Sequence, residues 1–195
     1  KYLPQIKVDA DKFESCVETI IRQVENIGVM VNEFSNFARL PEPKLSPVNM
    51  VKIIDQVMEQ QKNLNQPIEY VHITSDMSAL VFNCDATQIS QVLVNLLQNA
   101  ADAILESDKQ HGTIMVSIEP KDRWQFHICV DDTGPGFPEQ YKDRLTEPYV
   151  THKKKGTGLG LAIVKKIVED HGGVLSLEQA PGGGARVRLK FYIEH

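Results

Sequence analysis

Three clusters of residues have the types and spacings to hold a ligand. The first lies in Val92-Leu93-Val94-Asn95-Leu96-Leu97-Gln98-Asn99-Ala100-Ala101-Asp102. There Asn95, Asn99 and Asp102 stand at i, i+4 and i+7, on one face of a helix that is otherwise almost wholly apolar. A buried amide needs a partner, because an unpaired one costs ~1–3 kcal/mol. The amide oxygen of Asn is a hard, neutral ligand that suits Mg²⁺ already carrying phosphate oxygens and waters. The same stripe also serves simply to bond neighbouring loops. The small Ala100 and Ala101 let another group come close.

The second cluster is Val130-Asp131-Asp132-Thr133-Gly134-Pro135-Gly136, an acidic pair delivered by an apolar run into a glycine turn. Glycine there permits positive φ and close backbone approach. A carboxylate above such a turn can accept from the exocyclic amine of adenine, or the segment is a plain Asp-x-Gly turn. The third is Lys153-Lys154-Lys155-Gly156-Thr157-Gly158-Leu159-Gly160-Leu161. Alternating glycines that open a helix expose backbone N–H groups at the positive end of its dipole, where a phosphate is favoured. Glycines of this kind also occur for conformational reasons alone. No Gly-Lys-Ser/Thr follows, so this is not a P-loop, and no apolar strand precedes it as in a dinucleotide fold.

The elements that must position these clusters alternate in type. Apolar spacing predicts a helix over 50–63, strands over 68–74 and 79–84, and a long helix from Asp85 to about Leu105, with Gln88 at the capping-box position. Strands follow over 113–118 and 124–130. A Gly-, Pro- and Lys-rich loop over 132–156 leads into a helix over 159–170, ended by His171-Gly172-Gly173. A hairpin over 174–177 and 185–193, turned at Pro181-Gly182-Gly183-Gly184, closes the chain. The expected fold class is α+β, a two-layer sandwich with one sheet covered by helices on one face.

Ahead of this lies a helix with Phe13, Val17, Ile20, Val24, Ile27, Val31, Phe34 and Ala38 spaced alternately by four and three, the seam of a coiled coil or bundle. Asp11 and Glu14 read as its capping box, and Leu40-Pro41-Glu42-Pro43 stops it. Such a seam requires other helices, in an antiparallel partner, a second chain or both; it serves equally as a packing helix of the main domain. The expected division is 1–40 for this helical part, 41–47 for a linker and 48–195 for the main domain.

The 195 residues carry a net charge of -5, which argues against wrapping a nucleic-acid backbone. Cys16, Cys84 and Cys129 form no CxxC pair, so neither a disulfide framework nor a zinc site is expected. No apolar run approaches the ~20 residues of a membrane span, so no membrane contact by this segment is expected.

Taken in order, the clusters resemble the N, G1 and G2 boxes of the histidine kinase catalytic domain, of the GHKL superfamily that includes gyrase, Hsp90 and MutL ATPases. Glu147-Pro148-Tyr149-Val150-Thr151 resembles the F box, and Gly182-Gly183-Gly184-Ala185 the last glycine box. The resemblance covers roughly Val48 to Ile193 and implies the Bergerat-type ATP-binding fold with a mixed sheet. It implies that Asn99 coordinates Mg²⁺ with Asn95 in support, and that Asp132 binds the adenine amine over Gly134 and Gly136. Tyr149, Thr151, Gly156, Thr157, Gly158, Leu159 and Gly160 would border the phosphates along the ATP lid. Lys153 or Lys155 would reach the terminal phosphate. Asp102 stands where many members carry a cation or polar residue. Two further departures are Leu145, in place of the first F-box phenylalanine, and Ala185, where a hydroxyl residue is common.

The segment Phe13 to Pro43, with Ile21-Arg22-Gln23-Val24-Glu25 and Glu33-Phe34-Ser35-Asn36-Phe37-Ala38-Arg39-Leu40-Pro41, resembles the second dimerisation helix of nitrogen-regulation sensor kinases of the NtrY type. In that family the phosphorylated histidine lies on the preceding helix, in a His-Glu-x-x-Asn-Pro motif that this sequence lacks. The expectation is a sequence that starts near the end of that first helix, with Lys1 to Val8 as its end and the hairpin loop. The implied function is ATP-dependent phosphorylation of a histidine, relayed to a response regulator by a homodimeric kinase. This part would lie in the cytoplasm of an enzyme anchored in the inner membrane. The competing readings are a hydrolytic ATPase and an interaction module without nucleotide. ATPases of the superfamily place a glutamate four residues before the metal asparagine; here Asn95 stands there, and an amide is a poor base.

Overall fold

The computed structural model describes residues 10–64, 67–74, 80–107, 111–151, 153 and 156–193. The chain divides into two compact units, Lys1–Leu40 and Pro41–His195. In the first, helix α1 spans Ala10–Ala38. It is already running at Ala10, ahead of the cap expected at Asp11. The loop expected over Lys1 to Val8 lies outside the described residues. Along α1, Phe13, Val17, Ile20, Val24, Ile27, Val31 and Phe34 are all exposed.

The second unit carries a five-stranded mixed sheet of order β2-β4-β5-β7-β6, with β2 at Ile68–Thr74, β4 at Gly112–Asp122, β5 at Gln125–Asp132, β6 at Val174–Gln179 and β7 at Ala185–Tyr192. β2 runs parallel to β4; the other pairings are antiparallel. Helices α2 (Met50–Leu64), α3 (Ala86–Leu105) and α4 (Gly160–Asp170) form the second layer, with α3 packed against both α2 and α4. Alternation decides which face they cover. Ile114, Val116, Ile128, Val130, Leu189 and Phe191 are buried, whereas the opposite face carries charge pairs such as Arg188 with Glu178 at 2.9 Å.

A separate two-stranded ribbon joins β1 (Ser46–Asn49) to β3 (Val81–Cys84), antiparallel, with Val48 opposite Phe82. Phe82, Phe126 and Phe191 form an aromatic cluster with ring centroids 5.2–5.5 Å apart. The stretch expected as a linker therefore contributes structure: Ser46 opens a strand, and the Lys44 N–H donates to Asp85 Oδ2 at 3.0 Å. The strand is masked in sequence by Pro47, which cannot donate to a ladder and is tolerated only on an edge.

Burial of Leu93, Leu96, Leu97 and Ile104 anchors α3. At roughly 1.5–3 kcal/mol each, these side chains outweigh the cost of part-burying Asn95 and Asn99 on its other stripe. Asp85 caps this helix, its Oδ1 accepting from the Thr87 and Gln88 N–H groups at 2.9 and 3.1 Å. The expected return bond of the capping box is not made. Gln88 Nε2 donates to Pro41 O at 2.9 Å, and the Asp85 N–H donates instead to His171 Nε2 at 3.0 Å. Inside the long loop, Glu139–Arg144 forms a short 3₁₀ helix. Lys153 of the loop and Gly160 at the N-terminus of α4 meet the polar stripe of α3.

Candidate functional site

The acidic pair at the end of β5 is split by strand alternation. Asp131 faces away from the helices and takes a two-pronged ion pair from Arg186, both contacts at 2.6 Å. Asp132 faces the helix layer and is 7 % exposed. Its Oδ1 accepts from the Gly134 N–H at 2.8 Å and the Ala185 N–H at 3.2 Å. Among the described residues its Oδ2 carries no hydrogen bond. Burial pushes the Asp132 carboxyl above the usual carboxylate range, against the pull of the Ala185 and Gly134 N–H groups.

Glycine is required around this carboxylate. A Cβ on Gly184 would stand 2.0 Å from Asp132 O, and Gly184 has φ 87°. Gly136 (φ 81°) meets Gly184 O, where a Cβ would lie at 3.2 Å. A Cβ on Gly134 would lie 3.0 Å from Asp132 Oδ1 and 3.4 Å from Ala103 of α3. Two glycine turns thus interlock around one buried carboxylate and leave a floor without side chains. Ala185, which departs from the expected hydroxyl residue, contributes its backbone N–H.

On α3, Asn99 and Asp102 share a single cation. The Lys153 ammonium lies 3.0 Å from Asn99 Oδ1, 3.4 Å from Asn99 O and 2.9 Å from Asp102 Oδ2. Gln98 Nε2 holds the other Asp102 oxygen at 2.8 Å. One turn earlier, Asn95 Nδ2 is buried with no hydrogen-bond partner among the described residues. Gly160 opens α4 against Asn99, where a Cβ would approach Nδ2 to 3.5 Å.

The loop between these points is pinned at its base. Tyr149 takes φ 67°, uncommon for a side-chain-bearing residue, and its N–H donates to Gly158 O at 3.1 Å. Gly158 has φ 74°, and a Cβ there would lie 2.7 Å from Tyr149 C. Thr151 Oγ1 accepts from the Lys153 N–H at 3.2 Å, and a Cβ on Gly156 would lie 2.7 Å from that oxygen. Thr157 Oγ1 accepts from the Leu159 N–H at 3.4 Å.

Seven of the fifteen sequence candidates thus fall into two groups, Asp132–Gly134–Gly136 at the end of β5 and Asn99–Asp102–Lys153–Gly160 along α3. Leu159 is fully buried and anchors the start of α4 through its apolar side chain. Lys155 lies outside the described residues. Sequence reading missed Gln98, whose role rests on an i, i+4 contact. It also missed the clasp in which Thr133 Oγ1 accepts from the Thr113 N–H at 3.0 Å. The match between the small Gly112 and Thr133 is visible only once β4 and β5 pair.

A hard divalent cation fits the α3 stripe. Neutral and anionic oxygens converge there, and an ammonium already occupies Asn99 Oδ1. Among the described residues no group of three His, Cys, Asp or Glu side chains could hold a metal by itself, so further ligands would have to come with the substrate. No helix among them is long and apolar enough to cross a membrane.

A mixed sheet under three helices, with a buried acid among interlocked glycines and an asparagine stripe on the central helix, sets the class of fold, and comparison names it. The chain belongs to the histidine kinase-, DNA gyrase B-, and HSP90-like ATPase family, whose model matches residues 84–195. It is 41% identical over 191 residues to a putative sensor histidine kinase, NtrY-like, of Rickettsia felis, covering 98% of this chain and 31% of that protein. The chain therefore spans about a third of the length of that relative. The catalytic domain of the histidine kinase ThkA superposes with TM-score 0.66 at 31% identity, over 77% of this chain and 98% of that one. Full-length ShkA, solved in complex with AMPPNP, matches with TM-score 0.73 at 25% identity, over 93% of this chain and 39% of that one.

Proposed function

We propose that this chain is the nucleotide-binding and phosphoryl-donating part of a sensor histidine kinase of the NtrY type. The observation that carries the reading is Asp132, a buried carboxylate with one oxygen tied to backbone N–H groups and the other without a bond among the described residues, above a floor of glycine. Oδ2 would accept from the adenine amine, with Gly134 and Gly136 beneath the ring. Asn99 would hold Mg²⁺ together with phosphate oxygens and water, and the metal supplies charge neutralisation on the transferring phosphate. Asn95 Nδ2 would donate to a phosphate oxygen. Tyr149, Thr151, Gly156, Thr157, Gly158 and Gly160 would border the triphosphate. Lys153, or Lys155, would follow the terminal phosphate. The AMPPNP complex of ShkA supports a triphosphate in this fold.

Transfer to imidazole asks for positioning and charge neutralisation rather than a base. That matches Asn95, whose amide cannot take a proton from water, and argues against a hydrolytic ATPase. The acceptor would be a histidine on a dimerisation helix that precedes α1. The exposed seam of α1 supports a homodimer in which 1–40 is part of the phosphotransfer hairpin and 48–195 the catalytic domain. A response regulator would receive the phosphate, and this part would face the cytoplasm. Among the histidines here, His171 has both ring nitrogens engaged, by Ile167 O and the Asp85 N–H, which removes it as an acceptor.

The test uses γ-labelled ATP, Mg²⁺, the chain, and a helical hairpin bearing the acceptor motif. Acid-labile, base-stable label on the hairpin, and none on the chain, is expected. Stoichiometric label on one of the chain's own six histidines would overturn the assignment.

A further inference from the structure

We propose that Asp102 is a positioning residue that parks the lid lysine, Lys153, on Asn99, so that the lysine and a metal-bearing nucleotide compete for the same amide oxygen. The inference rests on the nucleotide reading of the site and adds how the site is held before ligand arrives.

Three acceptors converge on one ammonium: Asp102 Oδ2 at 2.9 Å, Asn99 Oδ1 at 3.0 Å and Asn99 O at 3.4 Å. An ammonium has three N–H groups, so this pocket can occupy all of them. Asp102 is itself fixed, because Gln98 Nε2 holds its other oxygen at 2.8 Å. The lysine is presented by a tight turn in which its N–H donates to Thr151 Oγ1 at 3.2 Å and its carbonyl accepts from the Gly156 N–H at 3.5 Å. Fifty-one residues of sequence separate the two charged partners, so the contact fastens the lid to α3.

The chemistry of exchange follows. Asn99 Oδ1 is the oxygen assigned to the metal, and the ammonium occupies it now. If a metal-bearing nucleotide took Asn99 Oδ1, its cation would stand where the ammonium now stands beside Asp102. The displaced lysine is then free to move with the terminal phosphate. The Lys153 and Asp102 side chains are 25 % and 35 % exposed, so the latch is a weak bias that nucleotide overcomes. A population effect of about two- to five-fold on the open lid is expected.

The test measures the nucleotide-free protein first. Brief acetic anhydride labelling is read per residue by mass spectrometry, with exposed Lys52 as internal reference. Asp102→Asn should raise labelling of Lys153 about threefold or more, Gln98→Ala should raise it less, and Asp102→Glu should restore protection. In stopped flow, MgADP, which has no terminal phosphate for the lysine to follow, should associate about two- to five-fold faster with Asp102→Asn and with Lys153→Met, and at the native rate with Asp102→Glu. Unchanged labelling in Asp102→Asn would overturn the latch. Raised labelling with unchanged association would overturn the competition. A native protein that binds no MgADP at all would remove the nucleotide reading and the competition with it, while the labelling result would still report whether Asp102 parks the lysine.

Discussion

Asp131 and Asp132 are consecutive residues of β5 with opposite fates. One is clamped by Arg186 at 2.6 Å on the polar face, and the other is buried beneath the helices with the Gly134 and Ala185 N–H groups at 2.8 and 3.2 Å. Strand alternation alone separates a structural acid from the one proposed to bind the nucleotide. Asp131→Asn should therefore lower stability by about 1–3 kcal/mol, because it leaves Arg186 part-buried without its charge partner. MgADP affinity should stay within about threefold. Urea unfolding and calorimetry on the same preparation separate the two effects.

Asp132 predicts the reverse. Burial raises its folded pKa, so the folded state holds that proton more tightly than the unfolded one. The stability this contributes is fully present below the unfolded pKa and is lost as pH rises through the folded pKa. At neutral pH the charged carboxylate is thus a cost to the empty protein. Asp132→Asn should melt at the same temperature as the native chain or higher, and the difference should shrink toward acid pH. Scanning calorimetry from neutral to acid pH checks this; a variant less stable at neutral pH than at acid pH, relative to the native chain, would contradict it.

Gly184→Ala should be damaging in a way few surface substitutions are. The new Cβ would meet Asp132 O at 2.0 Å, at a backbone φ of 87°. The left-handed conformation alone costs about 1–2 kcal/mol for a side-chain-bearing residue, and the clash adds to it. Thermal melting should fall by several degrees, and MgADP binding should weaken with it, because Asp132 cannot keep its place.

His171 is a clip between two helices. Its Nδ1 donates to Ile167 O at 2.8 Å, and its Nε2 accepts from the Asp85 N–H at 3.0 Å at the start of α3. His171→Ala leaves that N–H without a partner and should cost about 1–3 kcal/mol in urea unfolding. Nucleotide affinity, measured where the variant is folded, should be unaltered.

How much of this was legible in the sequence depends on range. The positions of Asn95, Asn99 and Asp102 on one face, and the glycine turns, are local properties of spacing and backbone freedom, and both were readable. The order of strands and helices and the covering of one sheet face followed from periodicity. What escaped is non-local or locally contradictory. Ser46–Asn49 pairs as a strand although Pro47 argues against one. Gln88 satisfies the sequence rule for a capping box, yet Pro41 and His171 offer better partners from far along the chain. The pairing of Lys153 with Asp102 depends on where a long loop returns, and no periodicity encodes that. The choice of Asp132 over Asp131 was made by resemblance; alternation and burial now give its physical reason.

For the helical unit, the exposed seam of α1 predicts association. Ile27 is 58 % exposed, and Ile27→Asp places a charge in the middle of the seam. Sedimentation should show the native chain self-associating and the variant weakened by at least about tenfold. Native and variant chains that sediment identically would count against a homodimer through α1.

The most direct test of the account is calorimetric titration of MgADP into the native chain and Asp132→Asn side by side. Saturable binding to the native chain, reduced about ten- to a hundredfold or more in the variant, is predicted from losing a charge-assisted bond in a buried site. Equal affinity for both proteins, with both folded, would contradict it and place any nucleotide away from Asp132.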